Sequence, residues 1–254
     1  MRRSLTKAER CAQLVFQARR RGFRLYDIPS AIRPQDLKEA YAAQSKLAQL
    51  LGGKRIGYKI ANTNESSQKF LSLPEPFYGP LLESLTVGLV GTRDKPATIR
   101  GIAGKLNLRL CEPEFAFQVG DDGKIIAAAP AIEVVHSSFL DWKVVGAPSL
   151  VADLACNGAW IRGEAVPIEK VSLDSCVLRV NGKDFARGFA SRVYGSPLKA
   201  FSKLLEQEFV ELKKGDWVTT GVCVDPPYHY CAVGDRIEAE FNGGLGSVAI
   251  QCEK

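Results

Sequence analysis

Three stretches of the chain place apolar residues at helical spacing. Leu5, Ala8, Ala12, Val15 and Phe16 approximate one stripe. Thr6 and Glu9 stand at T-x-x-E spacing, a capping box in which each side chain satisfies a backbone N–H, and Gly22 ends this first helix. A second helix is predicted from about Pro34 to Leu51, with proline in its first turn, Leu37, Tyr41, Gln44, Leu47 and Leu51 on one face, and Gly52-Gly53 as its stop. A third follows Ser196-Pro197, with Leu198, Phe201, Leu205, Phe209 and Leu212 as its face and Gly215 closing it.

Between and after these helices the pattern is that of strands. Lys54 to Ala61 reads as a strand, and Asn64 to Leu71 as a short helix capped by Asn64. Proline and glycine punctuate Pro74 to Pro80. From residue 86 onward β-branched runs and turns dominate, with strands at Arg109 to Val119 and Ala131 to Val135. Val171 to Val180 and Lys183 to Phe189 flank Asn181-Gly182, the dipeptide that fits a type I′ hairpin turn. The tail adds strands at Asp216 to Val222, Asp235 to Phe241 and Ser247 to Cys252, with a glycine-rich turn at Asn242 to Gly246. No repeat, low-complexity segment or linker interrupts this order. The reading is one α+β domain over residues 1–254, in which a helical part, 1–52, packs on a β-rich core, 53–254. Helices come first and strands later, and neither G-x-G-x-x-G nor a P-loop is present, which disfavours a βαβ nucleotide fold.

Composition narrows the partners. The 34 Lys+Arg against 28 Asp+Glu leave a net charge of +6 that is mostly scattered, its one dense cluster being Arg19, Arg20, Arg21 and Arg24. A nucleic-acid footprint would be broader and interleaved with aromatics, so no nucleic-acid partner is expected. No run approaches the roughly 20 apolar residues of a membrane span. Seven cysteines, without a CxxC or a signal-peptide core, point to a reducing cytosol and mostly inert buried thiols. Arg2, Arg3 and the later arginines also suit an organelle transit peptide, but a folded first helix explains the same residues better.

The chemistry concentrates in three segments. In Cys111-Glu112-Pro113-Glu114-Phe115-Ala116-Phe117, strand alternation puts Glu112 and Glu114 on one face, opposite Pro113 and Phe115. Two adjacent carboxylates repel, so one takes up a proton unless a cation lies between them. The bland reading is a solvated edge strand, because Pro113 cannot donate to a ladder. In Pro130-Ala131-Ile132-Glu133-Val134-Val135 a single carboxylate sits in an apolar run, where it needs a cationic partner or a cavity. Together the three glutamates suit a hard divalent ion, Mg²⁺ or Mn²⁺. With only His136 and His229 in the chain, a histidine-rich zinc site is disfavoured. In Gly57-Tyr58-Lys59-Ile60-Ala61, Lys59 interrupts an apolar strand and is either a snorkelling surface residue or, near a metal, a group that holds a substrate carboxylate or moves a proton. Lys59→Met is then expected to change folding little, because the aliphatic stem is kept.

These segments occur in a telling order: G-Y-K, P-x-x-G-P-L, E-P-E-F-A-F, P-A-I-E-V-V, A-D-x-A-x-N-G, G-S-P-L and G-D-W-V-T-T-G. From about residue 25 to 252 the chain resembles the 2-keto-4-pentenoate hydratase / 4-oxalocrotonate decarboxylase family of the fumarylacetoacetate hydrolase fold. The resemblance implies a mixed β-roll with a small N-terminal helical region, a homo-oligomer, and Mg²⁺ or Mn²⁺ held by Glu112, Glu114 and Glu133, with Lys59 matching the family's active-site lysine. Asn157, and Asp153 beside it, fall in a segment near the site in that family. Thr219 and Thr220 suit hydrogen bonds to substrate oxygens, although β-propensity also explains them. Tyr58 and Trp142 read as core, and His229 as a loop residue. Cys156 lacks a readable Cys–His–acid arrangement.

The chain also departs from the pattern. Phe77-Tyr78-Gly79 stands where hydratases often have Asp-Phe-Gly, and Gly195-Ser196-Pro197-Leu198 where Gly-His-Pro-Leu is common. The connection from Gly120 to Pro130 is short where members have a longer segment with a helix that can cover the substrate, which predicts an open or differently covered pocket. The expected activity is that of a metal-dependent lyase on a small 2-oxo acid, by hydration of a 2-hydroxy-2,4-dienoate or a related decarboxylation. The alternatives are C–C hydrolysis of an acylpyruvate and a non-catalytic relative that binds a metabolite.

Overall fold

The computed structural model describes residues 4–85, 87–100 and 106–254, so Arg2 and Arg3 of the transit-peptide reading lie outside the described residues. Two helices open the chain, α1 (Lys7–Arg21) and α2 (Leu37–Leu51). Strand β1 (Arg55–Ala61) leads through helix α3 (Glu65–Leu71) to β2 (Phe77–Leu82), β3 (Val87–Val90) and β4 (Ala97–Ile99). The long hairpin β5 (Leu110–Val119) and β6 (Ile125–Val135) is followed by α4 (Gly146–Ala152), β7 (Asn157–Arg162) and β8 (Val166–Pro167). A second hairpin, β9 (Ser175–Val180) and β10 (Lys183–Phe189), precedes α5 (Pro197–Leu205). The tail is β11 (Trp217–Val222), β12 (Val224–Asp225), β13 (His229–Tyr230), β14 (Arg236–Phe241) and β15 (Gly246–Cys252).

Among the described residues these strands form two mixed sheets, an α+β arrangement. The larger runs β2-β1-β11-β5-β6-β7-β3, with β13 beside β5 and β8 beside β6. The smaller runs β12-β10-β9-β14-β15-β4. The sheets bury their facing sides against each other: Phe115, Phe117, Ile132, Val134 and Ile161 of the first meet Leu178, Ile237, Phe241 and Ile250 of the second. Phe115 and Phe241 meet edge to face at 4.9 Å, the arrangement that ring quadrupoles favour. α5 joins this core through Phe201, edge to face on Phe117, whereas α1, α2 and α4 lie on the other side. α1 packs on α2, and the cluster around Cys11, Val15, Ala43 and Leu47 continues into Leu82, Leu110, Leu150 and Leu154.

Local chemistry sets the element ends. Thr6 and Glu9 form the expected capping box, and Gly22 closes α1 in the left-handed conformation at φ 71°. Asn64 caps α3 through Ser67 N–H. Asn181 and Gly182 both have positive φ, as a type I′ turn requires.

Elsewhere the structure corrects the sequence reading. α2 begins at Leu37, after Asp36, whose carboxylate accepts from Glu39 N–H; Pro34 lies outside it. Pro74 to Pro80 does not stay a turn region. Its second half is the fully buried strand β2, where Pro80 is tolerated because β2 is an edge. β6 starts six residues before Ala131, and β9 only at Ser175. The third helix stops at Leu205, because Glu206 and Glu208 would put negative charge at its negative end. Phe209 instead stacks on Tyr41 at 4.2 Å. His229 is not in a loop but pairs with Cys111 as part of β13. α4 and β7, which carry no strong periodicity, went unpredicted.

Candidate metal centre and its cavity

Strand register brings the acids together. In the β5–β6 ladder Glu112 lies directly opposite Glu133, and Glu114 opposite Ala131. Directly opposed residues and residues two apart share a face, so all three carboxylates project to one side. They approach so closely that one ligand oxygen from each lies within 4.8 Å of the others. Glu114 and Glu133 are fully buried; Glu112 is partly exposed. Nor is β5 the solvated edge strand that Pro113 suggests: it lies between β11 and β6. Its missing donor is accommodated beside a register shift in β11 between Thr219 and Val222, where Gly221 takes φ 94°.

Lys59 reaches this face from β1. β1 pairs with β11 so that Lys59 is opposite Thr219, and Thr219 is opposite Ala116 on β5. The Lys59 ammonium lies 2.8 Å from Glu133 Oε2 and donates to the Ala155 carbonyl at 2.9 Å. That carbonyl arrives on a tight loop in which Leu154, Ala155 and Cys156 all hold positive φ. Gly79, across the ladder from Lys59, makes the approach possible, because a Cβ there would stand 2.3 Å from Leu154 O. The loop is tied down by Asp153, which pairs with Arg19 of α1 at 2.5 Å and accepts from Ser138 N–H at 2.6 Å.

The electrostatics are those of too many buried acids. Burial, then repulsion from Glu133, pushes Glu112 up to about 8. Burial and Glu133 hold Glu114 well above the carboxylate range, although the Thr219 hydroxyl donates to it. Glu133 is raised by burial against the pull of Lys59. For Lys59 burial opposes the charged form, but Glu133, Glu114 and Glu112 together outweigh it, and the ammonium is favoured. One lysine cannot neutralise three carboxylates. Glu114 Oε1 and Glu133 Oε1 are buried without a hydrogen-bond partner. Buried lone pairs of this kind are costly unless something takes them up. A hard cation with oxygen ligands fits this donor set.

A cavity of about 340 Å³ opens onto the site, and Glu112, Glu114 and Lys59 stand in its wall. Asn62 and Thr63 add a polar stretch, and Phe70, Leu108, Leu110, Trp142, Leu150 and Tyr228 an apolar one. The link from Gly120 does not cover it. That link is a tight turn at Asp121–Gly123 followed by the first half of β6. It lies at the opposite end of the hairpin from Glu112, seven strand residues or roughly 23 Å away. The cover is instead α3 and the segment around Trp142, so the pocket is differently covered, as the short link predicts.

The remaining candidates fall elsewhere. Thr220 is buried with its hydroxyl on Phe115 O, and it is Thr219 that faces the acids. Asn157 is fully buried, its side-chain amide has no protein partner, and it is not among the residues lining the cavity. Tyr58 is core, whereas Trp142, read as core, stands in the cavity wall. Cys156 lines the cavity, but burial pushes its thiol up to about 12, far from a thiolate at neutral pH. Sequence reasoning missed Asn62. Its amide donates to Leu73 O and Glu75 O, which leaves Oδ1 buried, unpartnered and beside the cavity. The one available signal was an asparagine directly after a strand, a residue that tolerates the φ of 61° found there.

No family model matches the chain. It is similar to 2-keto-4-pentenoate hydratase of Paraburkholderia xenovorans, 27% identical over 268 residues that cover 96% of this chain and 94% of the relative. It is also similar to 2-hydroxyhexa-2,4-dienoate hydratase of Comamonas testosteroni, 28% identical over 225 residues, 81% of each. Among solved structures it matches 4-oxalocrotonate decarboxylase of Pseudomonas putida G7, complexed with magnesium and adipate. The TM-score is 0.83 at 22% identity, over 98% of this chain and 99% of that one. The fold is of the fumarylacetoacetate hydrolase type. The resemblance read from seven short motifs thus extends over nearly the whole chain.

Proposed function

We propose that this protein is a divalent-metal-dependent lyase for small 2-oxo acids, and that it hydrates a 2-hydroxy-2,4-dienoate. The observation that carries the reading is the convergence of Glu112, Glu114 and Glu133 within 4.8 Å of one another, with Lys59 against them, on an open cavity. The hydratases it is similar to, over 81–96% of this chain, support the reaction class.

The three glutamates are the groups that would hold Mg²⁺ or Mn²⁺, which when bound supplies Lewis-acid polarisation of the 2-oxo acid's oxygens. The Thr219 hydroxyl fixes one oxygen of Glu114 and so aims the other. Lys59 keeps its proton and acts as a fixed positive charge for the substrate carboxylate rather than as a base at neutral pH. Its position is set by Glu133 and Ala155 O, and beyond them by the Asp153–Arg19 pair. Asn62 Oδ1 is an acceptor beside the cavity, placed to orient the water that adds across the conjugated bond. Decarboxylation would draw on the same electron sink. Acylpyruvate hydrolysis would need, in addition, an activated water in a shielded site.

The reading includes a homo-oligomer, as the resemblance implies, to be measured by sedimentation. Seven free, buried cysteines support a reducing compartment. Among the described residues no helix is long and apolar enough to cross a membrane.

The test compares kcat/KM for 2-hydroxypenta-2,4-dienoate and acetylpyruvate on one preparation, with Mg²⁺ and with chelator. Hydration that exceeds cleavage and vanishes on chelation is expected. Faster acetylpyruvate cleavage overturns the reaction type, and no turnover of any 2-oxo acid favours a binding protein.

A further inference from the structure

The cavity wall has charged, neutral polar and apolar parts. Glu112, Glu114 and Lys59 carry the charge, and Asn62 to Asn64 with Ser66 and Ser67 are neutral. Leu108, Leu110 and Leu150 line the apolar side, and Phe70 and Trp142 meet edge to face at 5.6 Å in the same wall. Phe70 is 47% exposed and Trp142 partly so, and both rings have surface left to cover. At about 340 Å³ the space far exceeds a three-carbon 2-oxo acid and falls in the range that holds larger organic ligands.

Charge on that side is as informative as shape. Among the described lining residues the cations are Lys59 and Lys143. Lys59 is engaged by Glu133 and Ala155 O beside the acids. Lys143 is exposed, its ammonium 5.9 Å from the Trp142 ring centroid. A second carboxylate that reached the leucines and ring faces would lose its hydration, and the lining offers it there no buried cation, only the exposed Lys143 and the neutral groups of Asn64, Ser66 and Ser67. An apolar tail would gain from the same surroundings.

On the reading of the site as a 2-oxo acid lyase, we infer that the physiological substrate is a monocarboxylic 2-oxo or 2-hydroxydienoic acid with an extended alkyl or aryl tail. Trp142 and Phe70 are the residues that select it, and dicarboxylic analogues of the same length are rejected. Selection acts on binding: the tail covers the exposed faces of the two rings while the carboxylate end stays at Lys59 and the acids.

The experiment is calorimetric titration of the Mn²⁺-loaded protein with unreactive probes: oxalate, pyruvate, 2-oxobutanoate, 2-oxopentanoate, 2-oxohexanoate and 2-oxoadipate. Each methylene buried is expected to tighten binding by up to roughly fourfold. Across the series 2-oxohexanoate should bind more than about tenfold tighter than both pyruvate and 2-oxoadipate. Trp142→Ala should flatten the series and leave oxalate affinity unchanged; Trp142→Phe should keep most of the preference and guards against a folding defect. If oxalate binds but affinity is independent of tail length, or 2-oxoadipate equals 2-oxohexanoate, the tail assignment is overturned while the lyase reading stands. If neither oxalate nor any 2-oxo acid binds, the reading beneath it falls instead.

Discussion

Strands β5 and β6 carry two opposite solutions on one face. Toward the β5 N-terminus that face holds Glu112, Glu114 and Glu133. A few residues along, the same face holds Ala116, Ala129 and Ala131, covered by Trp217 and by Trp160, which borders the acids opposite Glu133; the two rings stand 5.9 Å apart. The alanine–tryptophan half is filled by apolar surface and supplies stability, with Trp160 Nε1 buried without a partner where it borders the acids. The acid half is paired in the same register but opens on the cavity and leaves buried carboxylate oxygens without partners. The backbone is common to both, so the difference lies in side chains alone. One half is optimised for the fold, and the other holds charge in a state that only a cation relieves.

The sharpest way to separate the halves is to remove a charge from one and a ring from the other. Glu114→Gln is expected to lower kcat/KM for 2-hydroxypenta-2,4-dienoate by about 10²–10³, the range found when a transition-state electrostatic group is lost. Metal-free, it should be about as stable as the parent, because burial already favours the neutral acid there and the amide is also neutral. Full activity in this variant would remove Glu114 from the site. Trp217→Ala should do the converse, because Trp217 pairs with Gln118, well along β5 from the acids. A buried indole in that half is worth about 3–5 kcal/mol on truncation, read as a lower urea midpoint, with kcat per folded molecule little changed.

Much of this contrast was readable in the chain, and the unreadable part has a definite physical origin. Alternation alone puts Glu112 and Glu114 on one face, and Glu133 is conspicuous as a lone acid among valines and isoleucine. That Glu133 lies opposite Glu112 depends on hairpin register, which the tight turn at Asp121–Gly123 sets some seven residues away. Lys59 was visible as a cation in an apolar strand, but its partner was not, since β1 reaches β5 only across β11. Thr219 and Thr220 look equivalent in sequence; the strand's alternation decides that one faces the acids and the other a carbonyl. The truncated third helix failed for a different reason. Periodicity continued through Phe209 and Leu212, but end charge stopped the helix and tertiary stacking on Tyr41 claimed the phenylalanine.

The Lys59–Glu133 pair changes one expectation. Met retains the lysine stem, which argued for intact folding, but it leaves Glu133 buried and unpaired. Breaking such a pair from one side costs about 3–5 kcal/mol. Lys59→Met should therefore be destabilised without metal and largely rescued by Mn²⁺, while oxalate binds it more weakly than the parent. Equal stability of the two metal-free proteins would mean that Glu133 is neutral in the parent and that the ion pair does not form.

The smallest expected effect is a pH dependence that arises in the acid half. Glu112 titrates near about 8 in the fold, against about 4.3 in an unfolded chain. Between those values the native state holds a proton that the unfolded state has released, so stability contributed by protonated Glu112 is lost as pH rises through 8. Glu114, raised further by burial and Glu133, acts in the same direction. Buried His136, kept neutral chiefly by desolvation, works the opposite way, but only below about 6.5, where an unfolded histidine gains its proton. Lys59 contributes no slope here, since its ammonium is retained in both states well beyond pH 8. The window above histidine titration is therefore pH 6.5 to 8, in which Cys231, pulled down to about 4 by Cys111 and Cys252, acts outside the acid half and in the opposite direction. Across it the metal-free protein should lose about 1–2 kcal/mol through Glu112, and Glu114 adds to the loss. Chemical denaturation at the two pH values, in chelator and then in Mn²⁺, reads the effect. Glu112→Gln should reduce the slope and Trp217→Ala leave it intact, because Trp217 pairs with Gln118, away from the acids. A slope unchanged by Glu112→Gln would show that the pH sensitivity arises outside the acid half.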